Sequence, residues 1–188
     1  MRKLFLLRGA PGSGKSSFIA RHHLNPYAIS RDQIRLLLAD LTVYYQEDAD
    51  VLHQVIPRHV TVRTEQMVDH LVEHKMEYGE TVIVDGTHIV PSAIEHFKPW
   101  VDKYHYECFV VDLMEHTTLE SLLKRNQTRM HYDWVKPEVV KQMYRSYEAH
   151  PEVPYWAHKV VPNQMDHALS QRCLLYTSDA ADDLLCVD

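Results

Sequence analysis

The stretch KLFLLRGAPGSGKSS, Lys3 to Ser17, restricts what this chain can fold into more than any other part of it. A short apolar run enters a glycine-rich loop, and a segment with helical character, Lys15 to about His23, leaves it. The loop, Gly9 to Ser16, fits the pattern GxxxxGK[ST]. Gly9, Gly12 and Gly14 permit backbone angles that other residues resist, so successive N–H groups of the loop can turn toward phosphate oxygens, and Ala10, Pro11, Ser13 and Ser17 complete the expected cofactor-binding stretch. In this arrangement Lys15 supplies a point charge to the outer phosphates of a nucleotide, and the Ser16 hydroxyl is a ligand for Mg²⁺. ATP and Mg²⁺ are therefore the expected cofactors, and a buried parallel strand followed by a helix is the expected local structure.

The rest of the chain alternates in the same way. NPYAIS supplies a second strand, TVIVD (Thr81–Asp85) a third and YECFVVDL a fourth. Helices are expected over SRDQIRLLLAD, from about Pro57 to Tyr78, from Pro91 to about Lys103, over TTLESLLKRNQTR and over KPEVVKQMYRSYE. Ser30 and Gln33 have the spacing of a capping box. Met67, Val68, Leu71 and Val72 mark the apolar stripe expected of the long helix. LTVYYQEDAD is the least regular segment. Alternating strands and helices predict an α/β fold of three layers around a parallel sheet; the GxxxxGK[ST] loop makes it one of the P-loop NTPase/kinase kind, to which the RNQTR segment would add a basic lid.

Three further groups carry chemistry. Asp85 ends the TVIVD strand, where an acid can hold Mg²⁺ through water or touch an acceptor; capping a turn before Gly86 is the plain alternative. Asp32 and Arg35 lie three apart on a helix and share a face. Asp32 there can take the proton of an attacking hydroxyl, and Arg35 can fork onto an anionic acceptor. The same pair also reads as a dipole-complementing acid and an exposed arginine. Arg125 and Arg129, in RNQTR, read either as a lid that neutralises a transferring phosphoryl group or as a solvated helix end. Tyr44, Tyr45, Tyr132 and Trp134 read as packing residues before they read as base-stacking platforms. The fourteen histidines show no cysteine or carboxylate set at ligand spacing, so no structural metal site is expected.

Taken together, GAPGSGKS, SRDQIR, VDGTH, RNQTR and the proline-led KPEVVKQMYRSYE resemble, in that order, the 5′-end-healing polynucleotide kinases of the phage type. The likeness spans about residues 3–150 and covers a kinase domain without a phosphatase. It implies an ATP-dependent phosphotransferase acting on the 5′-hydroxyl end of a nucleic acid. In that reading Lys15 and Ser16 serve ATP and Mg²⁺, and Asp32 is the general base. Arg35 grips the acceptor phosphate, and Arg129 reaches the donor phosphates with Arg125 in support. Asp85 and Thr87 are expected to join Arg35 in binding the acceptor, although many relatives have D-x-T-N where this chain has Asp85-Gly86-Thr87-His88, a departure that bears on Thr87 and His88 as acceptor contacts. Two other classes stay open: a small-molecule or toxin-like P-loop kinase using the same base and arginines, and a nucleotide-binding regulator without transfer activity.

Composition sets the remaining bounds. CLLYTSDAADDLLCVD, residues 173–188, reads as a translated sequencing-library adapter rather than as native protein, which places the expected domain at 1–172 with the natural chain interrupted near Arg172. Four of the six net negative charges belong to Asp179, Asp182, Asp183 and Asp188 of that tail. What remains is too weakly charged for a protein that coats nucleic acid through a global field, so polynucleotide contact must come from a local basic patch. Cys108 is the one cysteine outside the tail, and no apolar run approaches the roughly 20 residues of a membrane helix. A cytoplasmic protein without membrane contact is expected.

Overall fold

The computed structural model describes residues 2–46, 51–129 and 131–162. The tail at 173–188 and the expected break near Arg172 lie outside the described residues.

KLFLLR forms β1 (Lys3–Arg8), buried along its whole length. A strand buried on both faces must be central, and β1 is: the sheet order is β2 (Ala28–Ser30), β5 (Val82–Asp85), β1, β6 (Glu107–Asp112), β7 (Ala157–Val160), all parallel. Side chains alternate across the sheet. Leu4 and Leu6 join Val82, Val84 and Val110 on one face, under α3 (Thr61–Glu77), α4 (Pro91–Glu95) and α5 (Lys98–Tyr104). Phe5 and Leu7 join Ile83 and Val111 on the other, with Phe18 and Ile19 of α1 (Lys15–Arg21). Three layers around a parallel sheet are thus present, as the alternation of strands and helices predicts.

Several local expectations change. LTVYYQEDAD and the residues after it contain an antiparallel hairpin, β3 (Thr42–Gln46) with β4 (Val51–Val55), a separate two-stranded sheet. Its β-branched and aromatic residues are good strand formers, obscured in sequence by the acidic residues Glu47, Asp48 and Asp50. The long helix buries Val68, Val72 and Met76, four apart, and leaves Met67 and Leu71 partly exposed, so its apolar stripe is rotated from the expected one. The helix expected over Pro91–Lys103 is two, because Pro99 falls in the first turn of α5. In the interior of one helix it would lack an N–H and crowd the carbonyl four residues back. The edge strand β7 was not anticipated.

Arg8 and Asp112, register partners at the ends of β1 and β6, form an ion pair at 3.3 Å with both side chains fully buried. Arg8 also donates to the carbonyls of Ile89 (2.9 Å), Pro151 (3.0 Å) and His150, and lies 4.8 Å from the Tyr147 ring centroid. Asp112 accepts from the Tyr147 hydroxyl at 3.2 Å and from the Met114 N–H at 2.9 Å. The network ties the strand that feeds the loop to α7 (Pro137–Ala149) and the segment after it. Asp112→Ala leaves the guanidinium buried without its carboxylate, an imbalance of about 3–5 kcal/mol. Urea denaturation should show that loss; a change below about 1 kcal/mol would place the pair among the interactions that contribute nothing measurable.

Candidate active site

Parallel register decides what meets at the carboxyl edge of the sheet. Asp85 aligns with Leu7 of β1 and with Ser30 of β2, so the residues that follow these strands converge. They open on a cleft of about 850 Å³. Its walls include Pro11, Gly12, Gly14, Lys15, Ser16 and Ser17 from the loop, and Asp85 and Thr87 from the end of β5. Asp32 and Arg35 of α2 (Arg31–Leu38) face it, as do Arg125 and Arg129. The remaining loop residues lie behind that wall. Ala10 is buried against Ile89, Met114 and Leu122, Ser13 is buried, and Gly9 donates its N–H to the Thr87 carbonyl at 2.9 Å.

Two of the three loop glycines use the backbone freedom read for them, and Gly9 does not. Gly12 and Gly14 have φ of +85° and +99°. A side chain at Gly12 would lie 2.7 Å from the Leu122 carbonyl oxygen, because α6 (Leu119–Gln127) packs directly on the loop. At Gly14, which lines the cleft, a Cβ would meet nothing within 4 Å, so there the positive φ and not space calls for glycine. The Lys15 ammonium donates to the carbonyls of Gly9 (2.7 Å) and Ala10 (3.3 Å). Burial lowers its pKa from the usual lysine value, against the opposing pull of Asp85. Asp85 is shifted the other way: burial raises its carboxyl, and Lys15 counters. A cation at this carboxylate would favour its charged form. Ser16 and Asp85 are the hard oxygen donors available to such an ion, which commonly takes one or two protein ligands beside phosphates. Among the described residues no group of three or more His, Cys, Asp or Glu is placed to hold a metal by itself.

On α2, Ser30 accepts the Gln33 N–H at 3.4 Å, the cap read from sequence. Asp32 and Arg35 do share a face, and they also bind each other: Arg35 Nη1 donates to Asp32 Oδ1 at 2.7 Å. The two arginines of RNQTR do not share a helix face. The helix ends at Gln127, so Arg125 belongs to it and Arg129 to the turn beyond. Both nevertheless reach the cleft. Arg125 donates to the Gly12 carbonyl at 3.3 Å, while Arg129 stands 3.9 Å from Asp133 in the 3-10 turn His131–Asp133. The intervening Asn126, buried, clasps the backbone of Val135 with both ends of its amide, at 2.6 and 3.2 Å. That clasp holds the turn carrying Tyr132, Asp133 and Trp134 over the cleft. Tyr132 and Trp134 therefore wall the cleft rather than fill the core; Tyr45 is half-exposed, and the Tyr44 side chain lies outside the described residues.

Arg31, Arg58, Glu65 and His96 also line the cleft and were not singled out in the sequence. Arg31 sits inside the quoted SRDQIR; the signal was its position directly after a strand whose carboxyl end was expected to open on the site. His88 is fully buried at φ +40° and bonds to the Leu7 carbonyl at 2.7 Å. Burial, reinforced by Arg31, holds it down to about 3, so it is neutral at ordinary pH.

A family model described as an AAA domain (AAA_33) matches residues 4–150. The chain belongs to this family. Its AAA domain is similar in fold to one chain of the Pnkp1/Rnl/Hen1 RNA repair complex, with TM-score 0.62 and 21% identity over 79% of this chain and 45% of that one. The domain thus spans less than half of that relative. It is also similar to a protein of Chloroflexus aurantiacus provisionally named a kinase, with TM-score 0.64 and 16% identity over 91% and 96% of the two chains. A third likeness, to APE1195, has TM-score 0.52 and 15% identity over 96% and 97%. Among curated proteins none matches by sequence. These likenesses are of fold, and that fold is the parallel-sheet α/β architecture of P-loop kinases. Among the described residues no helix is long and apolar enough to cross a membrane.

Proposed function

We propose that this chain is an ATP-dependent kinase that phosphorylates the 5′-hydroxyl end of a polynucleotide. The observation that carries the reading is the shared cleft: Lys15 and Ser16 of the loop, Asp85, the Asp32–Arg35 pair and Arg129 all line it. A nucleotide-binding regulator needs the loop but has no use for an acid and an arginine opposite it. The motif order and the likeness to the RNA repair complex favour a polynucleotide acceptor over other hydroxyls.

The chemistry follows from the side chains. Asp32 accepts the proton of the acceptor hydroxyl as its oxygen attacks the γ-phosphorus of ATP, the bond to the β-phosphate oxygen breaks in line, and ADP leaves. Lys15 and Arg129 offset the charge that spreads over the phosphoryl oxygens. Mg²⁺ held by Ser16 and Asp85 would neutralise the β- and γ-oxygens. Arg35 holds Asp32 in place and offers its remaining N–H groups to an acceptor phosphate. The clasped turn over the cleft would limit water and with it wasteful hydrolysis of ATP.

The two lid arginines should differ in effect. Arg125 is engaged with the loop carbonyl, whereas Arg129, among the described residues, makes a long ion-pair contact with Asp133. Arg129→Ala should therefore slow transfer by about 10³-fold or more, as loss of a charge-stabilising arginine does elsewhere, and Arg125→Ala by less. Single-turnover rates at saturating ATP measure both; equal, small effects would return these residues to the solvated-helix reading.

A second reading, a kinase of a small hydroxyl compound, would use the same cleft residues, Asp32, Arg35 and Arg129. Transfer of labelled γ-phosphate to 5′-hydroxyl oligonucleotides, mononucleotides and sugars in parallel separates the two. Preference for a bare sugar or nucleoside over oligonucleotides would end the polynucleotide assignment.

A further inference from the structure

We propose that Arg31 is a second acceptor-binding residue, its guanidinium held in the cleft to grip the phosphate next to the hydroxyl that is phosphorylated; this rests on the kinase reading above. Two separate parts of the fold hold that guanidinium, α3 and the segment after β5, and the same segment leaves room for it. From α3, Glu65 takes the Arg31 Nε proton between its two carboxylate oxygens, each at 3.0 Å. From the segment after β5, His88 Nε2 lies 3.1 Å from Arg31 Nη1. The direction of that bond is fixed: the Leu7 carbonyl can only accept, so His88 Nδ1 carries the proton and Nε2 accepts from Arg31. In that same segment, Gly86 supplies space. A Cβ built there would lie 2.1 Å from Arg31 Nη1 and 3.1 Å from its Cζ, so the guanidinium rests where a side chain would be.

An ion pair that merely joined α2 to α3 would need only Glu65. The arginine here is drawn past Glu65, over the residue that follows Asp85, to a place where it lines the cleft. Nε and Nη1 are committed, and Nη2 is engaged by neither Glu65 nor His88, which leaves its N–H groups for an anion. The position also defines the acceptor. Arg31 and Arg35 are four residues apart, one helical turn, so the two guanidinium groups leave the same side of α2, and Arg35 is bonded to Asp32. Two guanidinium groups beside the base suit a hydroxyl whose neighbouring group is a phosphate. A neutral sugar would give neither arginine a partner. Arg31 thus selects for a 3′-phosphate or internucleotide phosphate beside the reactive 5′-hydroxyl.

The test is steady-state kinetics of wild type, Arg31→Gln and Gly86→Ala on a nucleoside, a nucleoside 3′-phosphate, a short 5′-hydroxyl oligonucleotide and a free sugar. Arg31→Gln should raise KM for the two phosphate-bearing acceptors by about tenfold or more, the loss of one strong contact. KM for ATP and for the nucleoside should stay within about twofold. Gly86→Ala, which displaces the guanidinium without removing it, should shift the same KM values in the same direction. Arg31→Lys keeps the charge without the fork and takes the place of Arg31→Gln if that variant does not fold. An equal rise for nucleoside and oligonucleotide, a rise confined to ATP, or no change would make Arg31 a structural residue and overturn the proposal, while oligonucleotide transfer by wild type would leave the kinase reading standing. Transfer by wild type to the free sugar alone would overturn both.

Discussion

Lys15→Ala should abolish measurable phosphoryl transfer. The ammonium is the loop's only charge, and it lies within the cleft beside the Gly9 and Ala10 carbonyls, within electrostatic reach of Asp85 and Arg129. Removing it takes away the point charge for the donor phosphates in the ground state and in the transition state. A fall of about 10³-fold or more is the scale for one charge-stabilising group at a transferring phosphoryl. ATP affinity should fall as well. The fold should survive, because the lysine's bonds here are to two carbonyls of its own loop. Calorimetric titration with ATP, labelled-phosphate transfer and a thermal midpoint check the three parts. Unchanged ATP affinity would mean that the loop is not the donor site.

Asp32→Asn should do something different: retain ATP and acceptor binding while kcat falls by roughly 10²–10⁴-fold, the usual cost of removing a general base. The structure makes this substitution mild for its surroundings. Asp32 is more than half exposed, with 54% of its side chain accessible, and an asparagine carbonyl can still accept from Arg35 Nη1. Acceptor KM should therefore move little, which separates loss of the base from loss of the grip that Arg35→Ala would cause. Steady-state kcat and KM on a 5′-hydroxyl oligonucleotide decide it. A drop of less than about tenfold in kcat would return Asp32 to the role of a first-turn acid complementing its helix.

Much of the fold was legible because its signals are local. KLFLLR is an unbroken apolar run, so it reads as a strand buried on both faces, and β1 is that strand. Ser30 and Gln33 are three apart, so the cap can be read without knowing anything distant. The signals that failed were ambiguous locally or depended on packing. The stripe on α3 could fall on either of two adjacent faces, and only contact with Leu4, Leu6 and the strands beside them chose Val68, Val72 and Met76. Pro99 was visible, but whether it kinks a helix or starts a new one is settled by how the chain turns at Phe97, which is fully buried. The hairpin after α2 was hidden because a two-stranded unit has weak periodicity and pairs mainly with itself.

By itself, then, the sequence determined the phosphate-binding loop, the alternation of strands and helices and the residues beside the carboxyl edge: backbone freedom at glycine and apolar periodicity act over a few residues. Only the tertiary structure decided what those residues touch. Arg8 gave no sign in sequence that it would be sealed against Asp112, because that partner arrives through the register of β1 with β6. Arg31 looked like one more cation in a polar helix start. Its carboxylate comes from α3 and its imidazole from beyond β5, and its space comes from the missing side chain of Gly86. A guanidinium is long and flexible, so its place is set by whichever distant groups satisfy its fork. Chain topology, not local sequence, brings those groups together.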